Sequence, residues 1–270
     1  MEFMVLRRAN QSTERGEQPP SLEPGVFLRP STEAVRLTRR DGAWTQSGGP
    51  FPPKELIAGL TLVEAASRED VIEQVRWWPL FDSGAVYEIR DPGYAGDCTS
   101  FDERGTVLGN VPQRDATLKR YVVFQRSDVE AEADVIPPAE VIDRMNASNE
   151  AGVRERVLLA GSGLRGTGTG ARVHFANSKT TVIDGPFMEV KELIAGYWMV
   201  QAASREAAIA WAMGYPYPHP GDLTVEIREA CERLEQLEFT PEMRAAEERL
   251  RAEMLEAGMR GVFGKKNRGL

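Results

Sequence analysis

The chain is poor in the residues on which metal and redox chemistry draws: its 270 residues include two cysteines and two histidines. Cys98 and Cys231 have no Cys or His at ligand spacing, which reads them as free thiols. His174 and His219 stand alone, and two isolated imidazoles do not make a metal site. Positive charge is also short. Against 41 Asp and Glu there are 33 Lys and Arg, a net charge of −8, whereas a nucleic-acid surface shows a basic stripe. No nucleic-acid partner is expected. No apolar run approaches the roughly 18 residues of a membrane span, and the start MEFMVLRR turns polar too soon for a secretory leader. The expectation is a cytoplasmic protein without membrane contact.

What the chain does have is a globular composition, 41% hydrophobic and 27% charged, and an internal repeat. From Asp184 it reads DGPFMEVKELIAGYWMVQAASREAAIAWA, and from Gly48 it reads GGPFPPKELIAGLTLVEAASREDVIEQV. Gly-Pro-Phe, Lys-Glu-Leu-Ile-Ala-Gly and Ala-Ala-Ser-Arg-Glu recur in one order, with one residue fewer in the upstream turn. The chain therefore reads as a tandem duplication.

The matching extends outward. EFMVLRR at 2–8 and RYVVFQR at 120–126 read as opening strands, each followed at the same offset by a Pro pair, Pro19-Pro20 and Pro137-Pro138. After Pro138, Val141, Ile142, Met145 and Ala151 recur at near-helical spacing. Between the Pro pairs and the pair Leu28-Arg29/Leu164-Arg165 the offset grows by about one helix length, so the first copy is expected to lack this helix. A hairpin follows in each copy, Val35 to Thr45 turning at Asp41-Gly42 and Ala171 to Ile183 turning near Asn177-Ser178. Leu56–Glu64 and Leu193–Gln201 read as central strands. Ser67 and Ser204 then cap a second helix with Glu69 and Glu206 in its first turn, and AVYEIR and LTVEIR close the units. The pattern is α+β, a split βαβ or ferredoxin-like unit used twice. The boundaries read as 1–95 for a degenerate first unit, 96–118 for a linker, 119–236 for an intact second unit and 237–270 for a charged C-terminal helix and tail, the helix starting at Thr240.

With Asp184-Gly-Pro-Phe187, Lys191-Glu192 and Gly196-Tyr197-Trp198 in place, the second copy resembles the YCII-related family of DGPF-domain proteins from Lys119 to about Arg228; the first copy resembles it more weakly. The resemblance implies a dimeric α/β-barrel assembly of ferredoxin-like units. In this chain that becomes an intramolecular pseudo-dimer packed sheet to sheet, with a homodimer of the whole chain left open. It implies no metal and no organic cofactor, a small organic substrate, and an acid/base role for the motif Asp, in some members beside a His. On this basis Asp184 and His174 are the catalytic candidates of a cofactor-independent lyase, isomerase or cyclase acting by proton transfer on an aromatic or polyketide-like substrate. The alternative is a non-catalytic small-ligand-binding or accessory protein. The first copy has Gly48 in place of Asp184.

Catalysis would require Asp184 to be buried in an apolar cleft that raises its pKa, with Phe187, Tyr197 and Trp198 as the lining. Alternatively, its side chain simply accepts backbone N–H bonds in the turn. His174 is expected to face solvent if it does not face Asp184, and His219, in PYPHPG, to line a rim. Arg126 and Arg165 are candidate partners for a substrate carboxylate; their recurrence as Arg8 and Arg29 is equally explained by salt bridges between the units. Lys54-Glu55 survives where Asp184 does not, which favours a fold role for the Lys-Glu pair. The Gly-rich GSGLRGTGTG lacks the Gly-Lys-Ser/Thr of a phosphate loop.

Overall fold

The computed structural model describes residues 1–17, 25–79, 84–91, 93, 114–176, 179–189, 192–218 and 221–231, together with 245, 248, 249 and 252. The last four positions are helical. The rest of the helix expected from Thr240, most of the expected linker, the turn at Asn177-Ser178 and His219 lie outside the described residues.

In the first half come β1 (Glu2–Arg8), the single turn α1 (Gln11–Glu14), β2 (Val26–Phe27), β3 (Val35–Arg40), β4 (Ala43–Gly48), β5 (Ile57–Glu64), α2 (Arg68–Val75) and β6 (Val86–Arg90). In the second come β7 (Lys119–Arg126), α3 (Val129–Glu132), α4 (Ala139–Arg154), β8 (Leu158–Gly163), β9 (Ala171–Ala176), β10 (Lys179–Asp184), β11 (Ile194–Ala202), α5 (Arg205–Gly214) and β12 (Leu223–Glu229). Among the described residues, the 16-residue α4 has no counterpart before β2. The Gly-rich run contributes to a strand: β8 carries its first three residues, Gly161 to Gly163.

Local chemistry accounts for these elements. Ser67 Oγ accepts from the Asp70 N–H at 3.1 Å and Ser204 Oγ from the Ala207 N–H at 3.2 Å, so both serines cap helices as their spacing implies. Asp41 and Gly42 both adopt positive φ, 49° and 78°, the pairing a two-residue hairpin turn requires. Gly49 and Gly185 serve a different need. A Cβ on either would lie 1.8 Å from a carbonyl oxygen, that of Ser31 or of Thr167, so only glycine lets these turns approach so closely.

The molecule is α+β, with two six-stranded antiparallel sheets and few helices. Their strand orders are β10-β9-β6-β1-β5-β2 and β4-β3-β12-β7-β11-β8. Each hairpin has left its own half. β9 pairs with β6 in the first sheet, with His174 opposite Val86 and Ala171 opposite Ile89; β3 pairs with β12 in the second, with Arg36 opposite Glu226 and Val35 opposite Ile227. The exchange is reciprocal. Backbone bonds also tie the halves at two corners. Arg29 and Cys231 donate to Glu229 and Phe27 carbonyls at 2.9 and 2.8 Å, and Gly93 and Arg165 donate to Gly163 and Asp91 carbonyls at 2.7 and 3.2 Å.

Among the described residues, strand alternation sorts most of the buried side chains into three larger cores. Phe3, Val5, Tyr87 and Ile89 pack with Val71, Ile72 and Val75 of α2 and with Ala171, Val173 and Phe175 of the incoming hairpin. Tyr121, Val123, Trp198 and Val200 pack with Val141 and Met145 of α4, with Ala208, Ile209 and Ala212 of α5, and with Val35 and Leu37 of the other hairpin. Alternate residues, Met4, Leu6 and Leu60 on one sheet and Val122, Phe124, Tyr197 and Met199 on the other, form one shared core.

Candidate functional site

Two buried carboxylates, unmarked by the motif reading, organise the polar interior. Glu88 and Glu226 are 0% and 1% exposed and sit at matching places in the two Glu-Ile-Arg strands. Glu88 meets Arg172 at 2.8 Å, Arg90 at 3.1 Å and Arg8 at 3.6 Å. Glu226 meets Arg36 at 2.9 Å, Arg228 at 3.3 Å, and Arg126 in a short bond. In each cluster one arginine, Arg172 or Arg36, arrives on the exchanged hairpin. Burial alone would raise both carboxyls, but their arginines outweigh it and hold both below the usual range. These charge clusters lock the halves together, although Arg36 Nη2 and Arg90 Nε are buried in them without a hydrogen-bond partner.

Arg126 therefore has its guanidinium committed to Glu226 and the Glu55 carbonyl. Arg8 does the same toward the Glu192 carbonyl at 2.7 Å. Glu55 pairs with Arg36 at 2.7 Å and Glu192 with Arg172 at 3.7 Å, which makes the acidic residue of each Lys-Glu pair a partner of the crossing arginine. Phe187 lies under Arg172, ring centroid 4.1 Å from the guanidinium carbon, and Phe51 repeats this with Arg36 at 4.0 Å. Arg165 is half-exposed and meets Asp134 at 3.3 Å.

Asp184 ends β10 at the surface, 70% exposed, with its carboxylate 3.2 Å from Arg68 at the start of α2. That guanidinium also reaches the Thr169 carbonyl at 3.0 Å. Asp184 pairs with Ala171 and His174 with Thr181. Ala171 and His174 are three residues apart, so Asp184 and His174 lie on opposite faces of the sheet and do not meet. His174 is half-buried: its Nε2 is shielded from solvent and has no hydrogen-bond partner. Burial, then the nearby Arg172 charge, lower its pKa. At the matching position Thr38 shares a hydrogen bond with Thr224 at 3.2 Å, whereas His174 faces Val86, which offers none.

Tyr197 and Trp198 part company, as neighbours on a strand must. Tyr197 enters the core between the sheets. Trp198 joins an aromatic nest under the helices, with its ring 4.7 Å from Tyr215 and 5.5 Å from Tyr217. Trp211 flanks Tyr215 at 5.1 Å, and Trp44 of the exchanged hairpin closes on Tyr217 at 6.2 Å. Tyr217 donates to the Ala212 carbonyl and Tyr215 to Asn149 Oδ1 of α4, each at 2.9 Å, and burial pushes the Tyr217 hydroxyl up. Two donors in this nest, Trp198 Nε1 and Asn149 Nδ2, are buried without an acceptor. Buried polar groups are nearly always paired, so two open donors in one apolar nest stand out. Of the sequence candidates the nest takes in only Trp198; Asn149, Tyr215, Tyr217 and Trp44 were not singled out.

Among the described residues, no group of three His, Cys, Asp or Glu side chains is placed to hold a metal ion, and no helix is long and apolar enough to cross a membrane. Comparison with curated proteins gives no match. A family model described as the YCII-related domain matches residues 120–231, the segment running from β7 through β12. Over that segment, less than half of the 270 residues, the chain is similar to the YCII-related domain.

Proposed function

We propose that the protein binds a small, flat organic molecule in the aromatic nest of its second half, the two halves acting as ferredoxin-like units of an intramolecular, barrel-like pseudo-dimer. The observation that carries this reading is the pair of buried, unpartnered donors at Trp198 Nε1 and Asn149 Nδ2. Leaving such donors unmet costs about 1–3 kcal/mol each, and an acceptor oxygen seated between aromatic faces would recover that. The similarity of residues 120–231 to the YCII-related domain supports a small-molecule role. Among the described residues the first half has no equivalent, since Thr61 stands where Trp198 does and Asn149 belongs to a helix without a described counterpart there. Binding is favoured over acid/base turnover because Asp184 is exposed and paired to Arg68, not held in an apolar cleft.

Native mass spectrometry of the protein as purified, followed by tryptophan-fluorescence titration with uncharged aryl carbonyl compounds, tests the proposal. Retained ligand or saturable quenching in the wild type, lost in Asn149→Leu with Trp198→Phe, is the expected result. A crystal structure with ordered water on both donors, together with no quenching by any compound, would overturn it.

A further inference from the structure

The inner residues of the aromatic nest lie out of reach of solvent: Asn149, Trp198, Tyr215 and Tyr217 are all buried. A ligand that meets Trp198 Nε1 and Asn149 Nδ2 must therefore displace a wall. Two half-buried indoles flank the nest, Trp211 and Trp44. Trp211 stands on α5, which is seated in the core through Ala208, Ile209 and Ala212. Trp44 stands on β4, the outermost strand of the second sheet, which among the described residues pairs with β3 alone. Trp44 is half-buried and the other five residues of β4 are exposed. Segments with so little buried contact are the ones that open locally at low cost.

A clamp on the surface keeps Trp44 down. The tip of the β3–β4 hairpin is tied to Gly221 and Asp222, the residues that lead into β12. Arg40 meets the Asp222 carboxylate at 2.5 Å, with both side chains exposed, and the Asp41 N–H donates to the same carboxylate at 3.3 Å. The Arg39 guanidinium donates to the Gly221 carbonyl at 3.2 Å from Nε and 3.0 Å from Nη2. It also lies over the Trp44 ring, 5.4 Å from the centroid. The indole is thus held by Tyr217 on the body and by an arginine tied to the loop. Exposed polar ties of this kind are weak. The other hairpin has no such wall: Thr180, exposed and opposite Phe175, stands where Trp44 stands opposite Arg39. Resting on the binding reading above, we infer that Trp44 is the door of the nest. The hairpin tip lifts off Gly221 and Asp222, the indole swings out with it, and a flat ligand passes to the two donors before the clamp closes again. The first half supplies the moving wall of a site whose donors belong to the second.

The door can be read with and without a ligand. In the full-length protein labelled with 5-fluorotryptophan, fluorine NMR resolves the five tryptophans, with Trp44, Trp198 and Trp211 assigned by single Trp→Phe substitutions. Broadening by a soluble nitroxide then measures access from solvent. Asp222→Ala should raise the broadening of Trp44 and Trp198 about two- to fivefold, the worth of an exposed ion pair, and leave Trp211 unchanged. Arg40→Gln should do the same, and so should raised salt on the wild type, which screens the pair without any substitution. With acetophenone as the ligand, stopped-flow quenching should show binding and release faster by the same factor in Asp222→Ala, with affinity nearly unchanged. Silence from acetophenone bears on the ligand reading alone; the nitroxide result decides the door either way. Access to Trp198 that ignores both variants and salt, or that rises together with Trp211 in place of Trp44, would overturn the inference.

Discussion

The Arg36 guanidinium donates to the Glu226 carboxylate at 2.9 Å although 190 residues separate them in the chain. Arg172 reaches Glu88 in the same way from the other direction, at 2.9 Å through its Nε. Each half thus supplies the cation that the other half's buried anion needs. Glu226→Ala should leave Arg36, Arg126 and Arg228 without their common partner. The expected loss is about 3–5 kcal/mol, the cost of breaking a buried pair from one side. Urea denaturation measures it, and Glu88→Ala should lose a comparable amount. A loss below about 1 kcal/mol would mean that water reaches these clusters.

Much of this was legible in the sequence. Ser67, Ser204, Asp41-Gly42 and the alternation in EFMVLRR act within a few residues, and short-range rules found them. The hairpin exchange was not legible, because a strand that alternates correctly for one sheet alternates correctly for another, and nothing local says which β6 or β12 it will join. Glu88 and Glu226 were visible only as charges at the core-facing phase of apolar strands. The aromatic nest was missed for a different reason. It gathers α4, β11, the residues after α5 and the exchanged Trp44, elements brought together by the exchange itself.

Acid should destabilise the protein in two stages. The folded-state pKa of Glu88 and of Glu226 is depressed below 4.5, so their contribution is fully present above that value and is lost as pH falls through the folded pKa. His174 is depressed below 6.5; the unfolded chain takes up its proton first, and stability declines as pH falls below 6.5, while above it this residue has no effect. Thermal unfolding followed from pH 8 to pH 4 should therefore slope downward below 6.5, and His174→Gln should flatten the upper part of that slope. An unchanged profile in the variant would place the titration elsewhere.

Asp184→Asn should cost less than about 1 kcal/mol, as expected for a pair this exposed, and should leave ligand retention intact. Urea denaturation and fluorescence titration of the variant check both. A substrate whose turnover disappears with Asp184→Asn while its binding persists would replace the binding reading with the acid/base one.

Gly185→Ala should be far more damaging than its size suggests. The new methyl would sit 1.8 Å from the Thr167 carbonyl oxygen, which is backbone and cannot rotate aside. A cost of about 3 kcal/mol, the upper range for overpacking, is expected, and Gly49→Ala should behave alike against Ser31. Gly221→Ala, with nothing within 4 Å of its added carbon, serves as the reference in the same denaturation series.

The reciprocal hairpins also decide what a cut in the chain would do. A protease nick between β6 and β7 severs the covalent link but not the clasp, since each fragment still holds two strands inside the other's sheet. The fragments should elute as one species and separate only in denaturant. Conversely, the two pieces expressed apart would each lack an outer pair of strands and the cation for a buried glutamate, and would recover both on mixing. The chain is in effect a split protein whose pieces complete each other's sheets.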